Sequence, residues 1–294
     1  MSVSAAMVKE LRERTGLAML ECKKALAETG GDIDAAVELL RKSGQAKADK
    51  KAGRVAAEGR VVQLISDDGK SAAIVEINSE TDFVANGDEF GDFANAVAER
   101  VLSDSPADVE ALAGLSIEGS KTIEERRKEM ITKLGENISI RRFERFESDG
   151  GQIDGYMHGV KIGVLVDIAP GNSTLGKDVA MHIAASRPIA IAEENVDPAT
   201  LAKEKEIFEV QAAESGKPAE IVEKMVAGRI RKFLSEVTLL GQPFVKDPDM
   251  SVAKLLDKSN SSVKQFIRYE VGEGIEKKVE NFADEVAAQV AQSS

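Results

Sequence analysis

Two histidines, His158 and His182, and one cysteine, Cys22, supply all the imidazole and thiol chemistry of these 294 residues. They cannot build a familiar three- or four-ligand zinc site. A thiol nucleophile would need Cys22 beside His158 or His182. Cys22 falls in LAMLECKKALAET, a charged helical pattern where a structural thiol is the better reading. No GxxxxGK[ST] loop occurs, so the chain carries no phosphate cradle of that kind. One juxtaposition remains. In EINSETDFVANGDEF, residues 76–90, a strand-like run ends and Thr81, Asp82, Phe83 and Val84 follow before the next helical pattern. A large ring directly after a carboxylate is unexpected in a connection that should be polar. Either it folds back, the commoner fate of phenylalanine, or it points outward as the anchor of an interface.

Bulk properties favour binding over catalysis. With 39 Lys+Arg against 51 Asp+Glu the net charge is −12, which repels a phosphate backbone, so direct nucleic-acid binding is not expected. No apolar run approaches the length of a membrane span. The opening MSVSAAMVKELRERTG lacks the pattern of a signal peptide. A single cysteine rules out an internal disulfide and fits a reducing compartment, so a cytoplasmic location is expected. Length allows two or more modest cores.

The elements that must position the TDFV connection follow from periodicity. Residues 1–44 read as three short helices: Val8 and Leu11 mark the first and Met19, Leu20, Lys23 and Ala27 the second. Asp32 caps the third, which carries Ile33, Ala36, Val37 and Leu40. Residues 45–58, small and basic, read as a linker. An imperfect duplication follows, each copy a hairpin, helices and a closing strand, over 59–149 and 150–274. The expected class is α+β, with antiparallel sheets backed by helices. The second copy contains a helical hairpin, 198–237, and residues 275–294 read as a C-terminal helical module. Where the first copy has ETDFVANGD, the second has the ring-free APGNSTLGK, so the shared fold does not require the aromatic connection.

RERTGLAMLECKKAL and EINSETDFVAN resemble the two diagnostic segments of bacterial elongation factor Ts, and the order of elements is similar across nearly the whole chain. The resemblance implies a guanine nucleotide exchange factor that binds elongation factor Tu, GDP-loaded or nucleotide-free. Such a factor is not an enzyme and needs no cofactor. By the same resemblance Thr81, Asp82, Phe83 and Val84 would intrude near the partner's magnesium, with Phe83 as wedge. Lys9, Lys23 and the Leu134-Gly135 turn would reach the partner's G domain. His158 and the Val245-Lys246 pair would approach it further from the nucleotide. On pattern alone the helical hairpin could support a dimer of heterodimers or merely decorate the fold. Two departures from the family pattern stand out: Asn86 where a basic residue is usual, and Leu17-Ala18 in place of a small-residue pair. The first puts a peripheral charge contact in question, the second a helix start. The three N-terminal helices also resemble the ubiquitin-associated type, so an adapter that binds partner peptides without exchange is the alternative.

Overall fold

The computed structural model describes residues 3–214 and 216–276. The helix expected in NFADEVAAQVA lies outside them. Three helices open the chain: α1 (Ala5–Thr15), α2 (Met19–Glu28) and α3 (Ile33–Lys51). The Ser4 hydroxyl accepts the Met7 N–H to start α1, and Gly16, at φ +67°, ends it in the left-handed region. Asp32 starts α3 by accepting the Ala35 N–H at 2.9 Å. Ala18 can offer α2 no side-chain cap, yet the helix begins directly after it. Val8, Leu11, Leu17, Cys22, Ala25, Leu26, Ala36 and Leu40 form the core of this unit.

The segment read as a linker from residue 45 continues α3 as far as Lys51. Gly44 and Ala48, one helical turn apart, are buried there, and Ala48 joins the core of the following unit. Small residues that look like linker composition are here a close-packing stripe.

The first copy begins with a hairpin of β1 (Glu58–Ile65) and β2 (Ser71–Ser79). After it come α4 (Asp82–Ala85), α5 (Asp88–Asp104), α6 (Val109–Ala113), the short β3 (Ser116–Glu118) and β4 (Lys121–Thr122), and α7 (Ile123–Leu134). β5 (Ile138–Glu147) closes the copy on the free edge of β2, giving the antiparallel order β1-β2-β5. The second copy repeats the plan with β6 (Gln152–His158), β7 (Ile162–Ala169) and α8 (Ser173–Ser186). The helical pair α9 (Pro198–Ala213) and α10 (Ala219–Val237) follows, then β8 (Pro243–Phe244), β9 (Asp247–Ser251), α11 (Val252–Lys258) and β10 (Ser262–Glu270). Its order, β6-β7-β10, is the counterpart of the first.

The two sheets face each other across Val61, Ala72, Ile74, Phe146, Ile153, Leu165 and Tyr269. Alternation sends the other face of each central strand to the helices. Ala73, Val75 and Ile77 of β2 meet α5 and α7, while Val164, Val166 and Ile168 of β7 meet α8 and α11. Glu76 breaks the apolar run of β2 and is fully buried. Its carboxylate accepts from Arg141 at 2.9 Å, Arg142 at 2.6 Å, Asn78 Nδ2 at 3.1 Å and the Gly272 N–H at 2.8 Å. Arg142 also lies 4.1 Å from the centre of the Tyr269 ring, and burial pushes that phenol up to about 12. A buried carboxylate satisfied on this many sides ties β2, β5 and the turn after β10 into one unit.

Candidate functional site

At the end of β2 the chain makes one helical turn, α4. Thr81 is extended and caps it, its hydroxyl accepting the Val84 N–H at 3.4 Å. Val84 and Ala85 are buried, and Arg60 grips the Ala85 carbonyl with two donors at 3.1 and 2.8 Å. Successive helical side chains point about 100° apart, so a turn anchored through Val84 and Ala85 must turn Phe83 away. The ring is 87% exposed. Asp82 beside it is exposed as well. The ring therefore points outward and does not fold back into the core.

The Leu134-Gly135 turn lies against this cap. Gly135, at φ +82°, ends α7, and Leu134 is half-buried against the core beneath. Glu136, next in the chain, accepts the Thr81 N–H at 3.0 Å and its hydroxyl at 2.6 Å. In return the Glu80 carboxylate accepts the Asn137 N–H at 2.6 Å. The two connections are therefore cross-tied.

His158, exposed at the end of β6, has its Nδ1 3.3 Å from the Tyr156 hydroxyl. The turn it begins lies at the same end of the sheets as α4. Lys161, just past it, pairs with Glu58, and Glu58 is opposite Ser79 in register. Val245 is 44% exposed, and its N–H donates to Nδ1 of His182 at 3.2 Å. Nε2 then carries the ring proton and donates to Gln242 Oε1 at 2.9 Å. Burial pushes the His182 pKa down, and the Gln242 bond opposes that shift only in part. Lys246 pairs with Asp178 at 2.6 Å. Lys9, 3.8 Å from Glu13, and Lys23 are exposed on α1 and α2, in the separate helical unit that α3 carries.

The structure does not bring a thiol and an imidazole together. Cys22 is fully buried among the N-terminal helices, its Sγ 3.8 Å from the Leu17 carbonyl. His182 belongs to the far side of the second sheet. Among the described residues no group of three or more His, Cys, Asp or Glu side chains could hold a metal, and no helix is long and apolar enough to cross a membrane.

Sequence reading passed over two features. Met19 and Leu20 are 58% and 63% exposed, so the stripe they form with Lys23 and Ala27 is the wet face of α2. Cys22, Ala25 and Leu26 take the buried face. The signal was available: Lys23 sits on the first stripe and no charge on the second. Glu136 was the other, and a lone glutamate after a helix-ending glycine carries no sequence signal of its role.

A family model described as Elongation factor TS matches residues 80–273. Elongation factor Ts of Thioalkalivibrio sulfidiphilus is 61% identical over 290 residues, 98% of this chain and 99% of that one. Elongation factor Ts of Methylococcus capsulatus is 61% identical over 293 residues, all of both chains. That of Legionella pneumophila is 53% identical over 289 residues, 98% of this chain and 99% of its own. Similarity that runs end to end, with a family match that takes in the α4 turn, makes this chain a member of the elongation factor Ts family.

Proposed function

We infer that this chain is a guanine nucleotide exchange factor that binds elongation factor Tu·GDP, disturbs its magnesium and phosphate site, and lets GTP replace GDP. The observation that carries this reading is Phe83, an almost fully exposed ring on a turn braced from three sides. A P-loop GTPase holds its nucleotide through backbone N–H groups, a lysine and a magnesium ion bridging the phosphates. At about nanomolar affinity that grip is worth roughly 12 kcal/mol, so unaided release is slow. A factor that prefers the distorted, empty site needs no acid, base or metal of its own and makes no covalent bond. The preference is mutual: nucleotide weakens the factor as much as the factor weakens nucleotide.

In this reading Phe83 is the wedge and Asp82 displaces polar groups around the partner's metal. Thr81 and Val84 hold the turn, and Leu134-Gly135 widens the contact. Lys9 and Lys23, with the exposed Met19 and Leu20 beside Lys23, engage the G domain from the N-terminal helices. His158 and Val245-Lys246 meet the partner further away. Ile207, Val210 and Ile221, exposed on α9 and α10, are apolar groups through which two such complexes could pair. The test is stopped-flow release of a fluorescent GDP from elongation factor Tu. Acceleration by orders of magnitude is expected. An unchanged rate would sink the reading and leave an adapter that works through its N-terminal helices.

A further inference from the structure

A helix of one turn has little stability of its own, because ordering its backbone outweighs its few hydrogen bonds. Yet α4 must present Phe83 in one orientation. Val84, Ala85 and Arg60 hold its C-terminal side. Its N-terminal side depends on the Thr81 cap, which at 3.4 Å is long. A hydroxyl caps well only if its own proton points elsewhere. Glu136 takes that proton on Oε1 at 2.6 Å, and its Oε2 fixes the Thr81 backbone through the N–H at 3.0 Å. One carboxylate thus sets both the rotor and the backbone of the cap.

Glu136 is itself well placed. Before it, the Gly135 carbonyl accepts from Lys51 at the end of α3. After it, the Asn137 amide donates to the carbonyls of Ala52 at 3.3 Å and Arg54 at 2.8 Å. A polar joint therefore runs from α3, which carries the N-terminal helices, through residues 135–137 to the Thr81 cap.

We propose that Glu136 is a positioning residue for exchange: it sets the Phe83 turn before the partner arrives, so that ordering this turn is not left to the moment of insertion. The inference rests on the exchange reading. It implies a kinetic split, because the other contacts proposed above, around Lys9, Met19, Leu20 and Lys23, lie on other elements. Loss of Glu136 should lower the maximal rate of GDP release and leave the concentration for half of it nearly unchanged.

The test uses the full chain as wild type, Glu136→Gln and Glu136→Ala. Hydrogen–deuterium exchange over residues 80–87 is read in the free protein. Release of fluorescent GDP from elongation factor Tu is read as a function of chain concentration. In Glu136→Ala the amides of α4 should exchange about ten-fold faster, as loss of a charge-assisted cap requires. The maximal release rate should fall about five- to ten-fold, with half-saturation inside about two-fold. Glu136→Gln keeps the shape and one acceptor and should fall between; should Glu136→Ala fail to fold, it decides. Unchanged protection of α4 overturns the proposal, as does a loosened turn with an unchanged maximal rate. A rise in half-saturation alone would make Glu136 an ordinary contact and overturn it too. Wild type that leaves release unaltered removes the exchange reading by itself, whereas the free-chain amides judge the brace independently.

Discussion

Replacing Phe83 with alanine should spare the fold and remove most of the exchange activity. A phenylalanine can bury about 150–250 Å², and at 87% exposed this ring leaves roughly 150 Å² for a partner to cover. At about 25 cal/mol per Å² that is about 4 kcal/mol, a ceiling near 800-fold in rate. Coverage is seldom complete, and fixing the ring costs about 0.5–1.5 kcal/mol. Halving the ceiling leaves about 2 kcal/mol, or roughly 30-fold. Release of fluorescent GDP should therefore be slower by roughly 30- to 800-fold in Phe83→Ala than in wild type. Stability should shift by less than about 0.5 kcal/mol, since almost nothing in the free chain touches the ring. Phe90, on the next helix and 1% exposed, is the internal contrast: Phe90→Ala should cost about 3–5 kcal/mol. Urea denaturation reads both. The reasoning fails if Phe83→Ala destabilises the chain by more than about 1 kcal/mol while release stays within about two-fold of wild type.

Three further outcomes follow from the packing. Glu76→Gln strands two guanidinium groups that are 26% and 32% exposed. The buried-pair cost, discounted for that exposure, comes to about 2–3 kcal/mol in urea denaturation, and a loss under about 0.5 kcal/mol would show the network to be dispensable. Gly44→Ala should gain about 1 kcal/mol of helix propensity but place a Cβ 2.9 Å from Thr132 Oγ1, a hydroxyl already committed to the Gly44 and Lys128 carbonyls. We expect a net loss of about 1 kcal/mol that Thr132→Ala recovers in the same chain; a more stable single variant would refute the crossing. For His182 the folded pKa lies below the unfolded value of about 6.5, so the folded state takes up fewer protons. Its stabilising share is whole above about pH 6.5 and fades as pH falls toward the folded pKa. Denaturation midpoints at about pH 7.5 and 5.5 should therefore diverge less in His182→Asn than in wild type, and an equal divergence would contradict the assignment.

Strong periodicity made the elements legible. Phe90, Phe93, Ala94, Val97 and Val101 recur at the spacing of one helical face and are all buried. Asp67-Asp68-Gly69, between two apolar runs, has the composition of a hairpin turn, and Gly69 takes the left-handed φ, +66°, that such a turn needs. What periodicity could not show was which of two stripes on α2 would find a partner, because that depends on α1 and α3. It also could not separate a small-residue linker from a small-residue crossing. Gly44 and Ala48 owe their burial to α7 and the first sheet, far along the chain. The α4 turn was anticipated only as a connection, since four residues carry too little pattern to mark a helix. Glu136 lay beyond reach, because its partner Thr81 is 55 residues away.

The duplication explains why the site is recognisable at all. Both copies build the same three-stranded sheet, and both leave the second strand of their hairpin into a helix. The sheets pack with the β1–β2 turn against β6, Gly69 accepting the Ile153 N–H, while Lys161 at the start of β7 reaches Glu58 at the start of β1. β1 and β7 therefore run the same way, and β2 runs against β7. The connections after β2 and after β7 consequently emerge at opposite ends of the molecule. At one end the chain inserts a capped turn with an exposed ring. At the other, Pro170, Gly171 and Asn172 lead straight into α8, with Asn172 capping it through the Leu175 N–H at 3.2 Å. Shared topology accounts for what the two connections have in common, namely a strand end and a helix start. Phe83 and its braces belong to the difference, and a feature that one copy carries and its counterpart folds without is held there by something other than the fold.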